Sequence, residues 1–520
     1  MPVSCSGLIT TPAAHRRVLL LAIACLAAWL AVACRGDGDP KPTATSTAVP
    51  SPTAASSPTP AADYPPVVLD WQECGGGFEC ARIDVPKDPI GRSGRGFSLP
   101  LIRRPADDQE HRIGSLLVNP GGPGVSGVDF VRRASFIFSP AVRERFDIVG
   151  WDPRGVAGSE PAVDCIDDLD AFVGMDPSPD TIAEQQAEDA AARAFAEGCV
   201  QRSGDILPFL ATENTARDMD RIRAALGDEK LTYFGFSYGT FYGAIYAEMF
   251  PDRVRALALD AVVDPSITAQ EDAKNQTTGL AASLDAFFVD CAADSDCDFY
   301  SGGDPSSAFD ALMFQLEQQP IPGDDGLDVG PGVAWLGVIA ALYDSADWPQ
   351  LAQSLADARD GDGSGLLDLS NFITGRFGPG SYTDELEQRI GTLCVDSERL
   401  TYDEKVQLLE ELAQIDPRFG DAGVGPAGDP CDFWPVPSAR EPMTITAAGA
   451  PPILVLGTTG DPITPYQQAE SLARQLSSGV LLTLVGERHT AYGGANSCID
   501  DAVDAYLIDL VPPPVGARCD

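Results

Sequence analysis

A serine between two glycines is the feature of this sequence that points most directly to chemistry. Residues Gly235–Gly239 read Gly-Phe-Ser-Tyr-Gly, with a strand-like run, Leu231–Phe234, before them and a helical pattern, Thr240–Met249, after them. A sharp turn from strand to helix exposes its serine hydroxyl above a sheet, and side chains two positions to either side would clash, so glycine is favoured there. The hydroxyl would also lie at the positive end of the following helix. We therefore predict that Ser237 is a nucleophile.

The supply of histidines limits the choice of a base for this serine. A serine nucleophile requires a base, normally an imidazole that a carboxylate orients. The chain has three histidines. His15 lies in an N-terminal apolar segment, and His111 lies among acidic residues before the first clear core strand, whereas His489 directly follows the last predicted strand. The sequence therefore predicts His489 as the base.

The acid of such a set is expected between the serine and the histidine in chain order. Asp461 follows the apolar run Ile453–Leu456 on a Gly- and Thr-rich turn, and open α/β sheets place their sites at the carboxyl ends of strands. Glu487 is a competitor, but at two residues from the histidine it is badly placed to orient that ring. Asp264, after the preceding strand, is a weaker alternative. We therefore predict Asp461 as the acid.

Backbone amides are the expected donors to a developing oxyanion. One donor is the amide of Tyr238, directly after the nucleophile. The other is expected in Asn119–Gly124, which reads Asn-Pro-Gly-Gly-Pro-Gly directly after a strand, because glycines allow the backbone to approach a substrate closely. Gly122 is the first choice and Gly121 the second. The alternative is that this cluster is only a turn.

Short apolar runs alternate with helical patterns along the chain, as they do in buried parallel strands covered by helices. The helical patterns include Thr215–Leu226 and Phe241–Phe250. Residues 265–442 break the alternation and read as a largely helical cap inserted into a core of residues 66–264 and 443–520. The strand-like runs are Ser115–Asn119, Asp147–Trp151, Leu231–Phe236, Ala256–Leu259, Ile453–Leu456 and Leu481–Val485.

The N-terminal segment reads as an export signal. Two arginines precede an apolar run, Val18–Ala33, which ends in small residues directly before Cys34, and a Pro-, Thr- and Ser-rich stretch follows. We predict an export signal over residues 1–33, a lipid on Cys34, and a disordered tether over residues 34–65. The alternatives are ordinary signal cleavage, which would leave Cys34 as a spare thiol, or a membrane span, for which the run is short of the ~20 residues needed.

Cysteine number and charge indicate where the protein works. Thirteen cysteines include three in the N-terminal segment, and the remaining ten predict five disulfides in an oxidising compartment. Neighbours would form small loops, but the sequence leaves the connectivity open. The ten are Cys74, Cys80, Cys165, Cys199, Cys291, Cys297, Cys394, Cys431, Cys498 and Cys519.

A net charge of -42, from 77 acidic and 35 basic residues, argues against nucleic acid as a partner. It also argues against electrostatic binding to anionic lipid, so membrane contact is expected only through the N-terminal lipid. The charge favours solubility outside the cell or attraction of cationic ligands. The sequence contains no pattern typical of a metal site, and no cofactor is predicted.

Taken together, these motifs resemble the tripeptidyl aminopeptidase group of serine peptidases, relatives of the prolyl aminopeptidases within the α/β-hydrolase fold. The resemblance implies a mostly parallel sheet flanked by helices, with a helical cap. It spans nearly the whole chain after the tether. The matching pieces are Trp71–Pro86, Asn119–Gly124, Gly235–Thr240, Leu259–Pro265, Cys431–Pro435 and Gly457–Cys519.

The resemblance also implies an activity. Its catalytic set carries over onto Ser237, Asp461 and His489, and members release short peptides from free amino termini through an acyl-enzyme. Acidic residues near the cap hold the ammonium group of the substrate, for which Asp396 and Glu213 are candidates here. The expected partners are peptides or proteins with a free amino terminus.

Two other functions remain open at this point. The same scaffold supports carboxylesterases and lipases, which a catalytic set alone does not separate from peptidases. The protein could also be a tethered binding lipoprotein with a catalytically dead site. Epoxide hydrolases and dehalogenases are disfavoured, because they use aspartate where this chain has Ser237.

Overall fold

The computed structural model describes residues 67–88, 96–179, 181–324, 326–421, 428–438, 440–494 and 496–520. The predicted export signal, Cys34 and the tether lie outside the described residues. In the described part of the chain, no helix is both long and apolar enough to cross a membrane.

One large sheet forms the centre of the protein, with strand order β1–β2–β3–β5–β4–β6–β7–β12–β13–β14. The strands from β5 to β14 in this order run parallel, and β1, β2 and β3 are antiparallel at one edge. The described strands are β1 (Gln72–Glu73), β2 (Glu79–Val85), β3 (Phe97–Arg104), β4 (Gly114–Asn119), β5 (Phe146–Trp151), β6 (Leu231–Phe236), β7 (Val254–Asp260), β8 (Ile321–Pro322), β9 (Asp328–Val329), β10 (Arg376–Gly378), β11 (Ser381–Tyr382), β12 (Ile453–Thr458), β13 (Gly479–Leu484) and β14 (Ala517–Cys519).

The helices cover both faces of this sheet and the edge where the parallel strands end. They are α1 (Gly127–Arg132), α2 (Ala134–Ile137), α3 (Pro140–Arg145), α4 (Asp170–Val173), α5 (Ile182–Ser203), α6 (Thr212–Ala225), α7 (Tyr238–Met249), α8 (Ala269–Ala293), α9 (Pro305–Gln318), α10 (Pro331–Leu342), α11 (Trp348–Arg359), α12 (Ser364–Thr374), α13 (Glu385–Asp396), α14 (Tyr402–Ile415), α15 (Pro417–Asp421), α16 (Tyr466–Gln475) and α17 (Ser497–Asp509). Single-turn 3-10 helices occupy Gln109–His111, Leu207–Phe209, Pro251–Arg253, Ser301–Gly303, Ser345–Asp347 and Pro430–Phe433.

The central strands are largely apolar because helices pack on both faces of the sheet. In β6, Tyr233 packs with residues of α6 and α7, whereas Phe234 packs on the opposite face with residues of α1, α3 and α17. Full burial of such a side chain stabilises the fold by about 1.5–3 kcal/mol. The predicted α/β-hydrolase architecture, a mostly parallel sheet flanked by helices, is therefore confirmed.

The chain between β7 and β12 is mainly helical, from α8 to α15, and also contains the short pairs β8–β9 and β10–β11. A segment after β5 packs against these helices, although the sequence analysis did not place it with them. The Glu387 carboxylate on α13 accepts hydrogen bonds from the amides of Cys165 and Ile166 at 3.2 and 2.8 Å. On α5, the Arg193 guanidinium lies 4.1 Å from the centre of the Phe433 ring.

Five disulfides join each cysteine to its neighbour along the described chain, which is the pairing into small loops that the sequence left open. The pairs are Cys74–Cys80, Cys165–Cys199, Cys291–Cys297, Cys394–Cys431 and Cys498–Cys519. Disulfides of this number are typical of proteins in an oxidising compartment outside the cytoplasm.

Candidate active site

Ser237 sits on a strained turn between β6 and α7. Its backbone has φ 51° and ψ −127°, a region that costs a non-glycine residue about 1–3 kcal/mol. Its amide donates to the carbonyl of Asp260 at 2.9 Å, which fixes the turn against β7. A Cβ on Gly235 would lie 2.4 Å from the carbonyl oxygen of Gly239, and one on Gly239 would lie 2.7 Å from that of Asn119. Both flanking positions therefore require glycine.

Asp461 and His489 lie side by side on the loops after β12 and β13. Imidazole Nδ1 is 2.9 and 3.1 Å from the two carboxylate oxygens, and both side chains are buried. The amides of Ile463 and Thr464 each donate to Asp461 Oδ1 at 2.9 Å, and the Thr464 hydroxyl donates to Oδ2 at 2.9 Å. This carboxylate is thus held in place before it orients the imidazole.

The remaining ring nitrogen of the histidine is free. His489 Nε2 is buried and has no hydrogen-bond partner among the described residues, so Ser237 Oγ is not bonded to it in this state. Hydrogen bonds of catalytic groups are commonly long without substrate and shorten in the substrate complex. The arrangement leaves Nε2 available to accept a proton.

Asp260 connects the serine turn with the histidine loop. Its carbonyl accepts the Ser237 amide, and its carboxylate accepts the amides of Ala491 and Tyr492, both at 2.9 Å. Burial raises the pKa of this carboxyl to about 6. The sequence analysis did not assign Asp260 a role. The signal in the sequence that could have pointed to Asp260 is an acidic residue directly after the apolar run Ala256–Leu259.

The glycine-rich loop after β4 lies directly against the serine. A Cβ on Gly121 would lie 2.8 Å from the Tyr238 nitrogen and 3.0 Å from Ser237 Cβ. The Gly121 amide donates to Asn119 Oδ1 at 2.9 Å, whereas the Gly122 and Tyr238 amides have no acceptor within the described residues. These two free amides on either side of the serine fit an oxyanion hole.

The two competing carboxylates, Asp264 and Glu487, make contacts other than with the imidazole of His489. Asp264 accepts from Gln475 Nε2 at 2.9 and 3.0 Å and from the Ser266 hydroxyl at 2.8 Å. Glu487 lies against Gly460, on the turn before Asp461. Neither carboxylate is among the described hydrogen-bond partners of the imidazole.

A cavity of about 440 Å³ opens beside the serine, and its wall includes Ser237, Gly122, Tyr238 and Asp396. The Asp396 carboxylate accepts from the Tyr238 hydroxyl at 2.8 Å and from the amide and hydroxyl of Thr212 at 3.0 and 2.7 Å. Burial raises its pKa. The predicted binding acid Asp396 is therefore in the same cavity as the predicted nucleophile.

Glu213 lies behind this wall, on the first turn of α6. Burial raises its pKa, the negative charge of Asp396 raises it further, and the charges of Arg440 and Arg217 lower it. Arg440 also lines the cavity. The two predicted binding acids are therefore near enough for their charges to interact, and of the two only Asp396 is among the described residues that line the cavity.

The site thus combines a hydroxyl on a strained turn in the cavity wall, an oriented imidazole and two amides without an acceptor among the described residues. This set can perform acyl transfer by nucleophilic attack. The described residues contain no group of three or more His, Cys, Asp or Glu side chains arranged to hold a metal ion.

Two family models match this chain, and several known proteins are similar to it over most of its length. The family model described as "TAP-like protein" matches residues 418–519, and that described as "alpha/beta hydrolase fold" matches residues 114–301. Serine protease Hip1 of Mycobacterium tuberculosis is 38% identical over 464 residues, covering 85% of this chain and 88% of the relative. Carboxylesterase B of the same species is 35% identical over 452 residues, covering 85% and 86%. Tripeptidyl aminopeptidase of Streptomyces lividans is 32% identical over 469 residues, covering 85% and 84%. The chain belongs to the tripeptidyl aminopeptidase-like family of serine hydrolases with the α/β-hydrolase fold.

Proposed function

We propose that this protein is a serine exopeptidase that releases tripeptides, or other short peptides, from polypeptides with a free amino terminus. The observation that carries the proposal is the shared cavity in which the Asp396 carboxylate and Ser237 both lie. Tyr238 links them, because its amide flanks the nucleophile and its hydroxyl donates to Asp396 at 2.8 Å. The name of the Streptomyces relative supports the same activity.

The chemistry proceeds through an acyl-enzyme. Ser237 Oγ attacks the scissile carbonyl carbon while His489 Nε2 takes the hydroxyl proton, and Asp461 stabilises the imidazolium through Nδ1–H. The amides of Gly122 and Tyr238 donate to the oxyanion, with Gly121 as the second choice for the glycine donor. The imidazolium then protonates the leaving amine, and water activated by the same nitrogen hydrolyses the ester.

Asp396 binds the ammonium group of the substrate in this proposal. An ionised carboxylate offers about four lone-pair sites, and three protein donors already reach Asp396. Glu213 adds a second negative charge behind it. The distance between the oxyanion donors and Asp396 then sets the length of the released peptide. Tyr238 spans this distance, because its backbone amide is one of those donors and its hydroxyl contacts Asp396.

The proposal also includes the location of the protein. The five disulfides are typical of an extracytoplasmic protein. We extend this to export by the N-terminal signal and anchoring through a lipid on Cys34, with the Pro-, Thr- and Ser-rich tether between the lipid and the enzyme. Metabolic labelling with a fatty-acid probe should mark the wild-type protein and leave Cys34→Ala unmarked.

A carboxylesterase is the second candidate function. Carboxylesterase B is 35% identical to this chain, and the cavity wall includes the apolar side chains of Leu280, Leu336 and Ile339. Short acyl esters without an amino group separate the two functions, because an esterase turns them over without any carboxylate partner for an ammonium group.

The test is a panel of di-, tri- and tetrapeptide chromogenic substrates with free or acetylated amino termini. We expect kcat/KM to favour the free tripeptide over its acetylated form by roughly 100-fold, since truncating one partner of a buried charge pair costs about 2–5 kcal/mol. In Asp396→Asn this ratio should fall to within a few-fold.

Asp272→Asn is the matched control, because Asp272 is another buried carboxyl in the same wall. It should retain the preference for the free terminus. Turnover of blocked acyl esters without turnover of free tripeptides would overturn the peptidase proposal. Loss of the preference in Asp272→Asn alone would overturn the role of Asp396.

A further inference from the structure

A second cavity, of about 290 Å³, adjoins the cavity beside Ser237. The two share Leu336, Ile339, Ile373 and Arg389 in their walls, so these side chains lie between them. The wall of the second cavity is otherwise mainly apolar. Nothing in the proposed acyl transfer uses this space.

Glu188 on α5 is one of the few polar side chains in that wall, which also contains Asp176 and Arg389. Its side chain is only 7% exposed, and Oε1 has no hydrogen-bond partner among the described residues. Burial, together with the negative charges of Asp176, Asp189 and Glu184, raises the pKa of this carboxyl to about 7. A buried acceptor in a negative field, without a donor, fits a ligand that brings a positive donor with it.

The arrangement of apolar and acidic side chains in the wall further limits the class of ligand that would fit this cavity. A lysine or arginine side chain has an apolar stem and a charged head. The stem would lie along Leu336 and Ile339, and the head would reach Glu188. The indole of Trp335 also lines this cavity, and an aromatic face attracts a cation.

The position of Arg389 indicates which part of a substrate reaches this cavity. Tyr343 packs its ring on the imidazole of His489 with centroids 5.2 Å apart, and the charge of Arg389 is near enough to act on the Tyr343 hydroxyl. Asp396 is seven residues further along α13, about 10 Å at 1.5 Å per residue. The wall with Arg389 is therefore on the imidazole side, away from the carboxylate assigned to the amino terminus.

The imidazole protonates the leaving amine, so its side of the cavity receives the leaving polypeptide. We infer that the Glu188 cavity is a subsite for a basic side chain, lysine or arginine, on the first residue after the scissile bond. The inference rests on the proposed exopeptidase function. It adds a specificity on the leaving side that the catalytic set does not provide.

The experiment compares quenched fluorogenic peptides with a free amino terminus that differ only at this residue, lysine against norleucine. Norleucine keeps the apolar stem and lacks the ammonium group. Mass spectrometry locates the bond cleaved. Wild-type protein should favour lysine by about tenfold or more in kcat/KM, and in Glu188→Gln this ratio should fall to near one.

Glu197→Gln is the matched control, because Glu197 lies on the same helix with its side chain exposed. It should keep the wild-type ratio. Glu188→Met, which has a similar volume and no charge, should lose the preference as Glu188→Gln does. Circular dichroism of each variant establishes that it is folded.

Binding to catalytically inactive protein separates this inference from the proposed function. In the Ser237→Ala background, calorimetry should show tighter binding of the lysine peptide than of the norleucine peptide, and Glu188→Gln should abolish the difference. If wild-type protein cleaves no free-amino peptide, the exopeptidase proposal fails while this binding difference still decides on the cavity. A lysine preference that survives Glu188→Gln, or one that moves to a residue before the scissile bond, overturns the inference.

Discussion

At the strand ends, two buried carboxylates accept several hydrogen bonds from the protein, whereas some buried polar atoms in the walls of the two cavities have no partner among the described residues. At the strand ends, Asp461 and Asp260 are saturated by backbone and hydroxyl donors. In the walls, Glu188 Oε1, Arg389 Nε and two guanidinium nitrogens of Arg440 have no partner among the described residues. Catalysis requires groups that are fixed before the substrate arrives. Recognition requires polar groups whose missing hydrogen-bond partners are supplied by the substrate.

The two regions meet at the histidine loop. The His489 amide donates to the carbonyl of Tyr343 at 2.7 Å, at the end of α10. Next to it, the Arg488 guanidinium lies 3.1 Å from the Asp344 carboxylate. The helices between β7 and β12 therefore help to hold the base, and substitutions there are expected to affect catalysis indirectly.

The largest effect is expected at the strand ends, from Ser237→Ala. Removal of the nucleophile should lower kcat by roughly 10^4–10^6-fold and abolish labelling by a fluorophosphonate probe. Free-peptide binding should change little, because the cavity walls are intact. If the wild-type protein is not labelled either, the site is catalytically dead and the binding-lipoprotein alternative gains support.

The next effect is expected from Asp461→Asn. The amide cannot hold imidazole Nδ1–H as the carboxylate does, so kcat should fall by about 10^4-fold with KM nearly unchanged. Glu487→Gln is the control, because this competitor carboxylate lies against Gly460 in the structure. A loss in Glu487→Gln that equals the loss in Asp461→Asn would contradict the assignment of the acid.

A change in the cap should affect binding more than chemistry. Cys394 and Cys431 join the end of α13 to the turn at Pro430–Phe433 across 37 residues, and their replacement by alanine should lower the unfolding free energy by about 4 kcal/mol. Because Asp396 is two residues from Cys394, KM for the free tripeptide should rise while fluorophosphonate labelling stays at the wild-type rate. Urea denaturation and steady-state kinetics measure the two effects.

The disulfide between Cys498 and Cys519 spans 21 residues and joins α17 to β14 of the large sheet. It provides the comparison for the disulfide between Cys394 and Cys431. Its removal should cost about 3 kcal/mol and leave KM unchanged. An equal rise of KM in both disulfide variants would indicate general loosening of the fold instead of a specific effect on Asp396.

The smallest effect concerns the pH dependence of stability at Asp260. Burial raises its pKa to about 6 in the folded protein, so the folded state binds this proton more tightly than the unfolded state. The stabilisation is complete below about pH 4 and is lost as the pH rises through 6, a change of about 3 kcal/mol. Between pH 7 and pH 4, wild-type stability should therefore gain about this amount over Asp260→Asn. Parallel urea-denaturation profiles for the two proteins would refute this role.

The structural features that could be predicted from the sequence were those that depend on local patterns of residues. The six predicted strands all form, because a strand buried on both faces must be apolar along its whole length. The antiparallel strands β1–β3 and the long helix α5 were not identified. The first strand is only two polar residues, β2 and β3 largely alternate polar and apolar residues, and α5 has no distinct apolar stripe. The placement of His489 followed from elimination among three histidines.

The sequence by itself determined the fold class, the family and the candidate catalytic set, since each depends on residue types within short segments or in fixed chain order. The tertiary structure alone decided which distant groups meet. Tyr238 and Asp396 are 158 positions apart, and Asp260 and Ala491 are 231 apart. The packing of α5 beside the helices between β7 and β12 brings Glu188 to a cavity next to the one that contains Ser237. Such contacts depend on how whole helices pack, and no local pattern of residues encodes them.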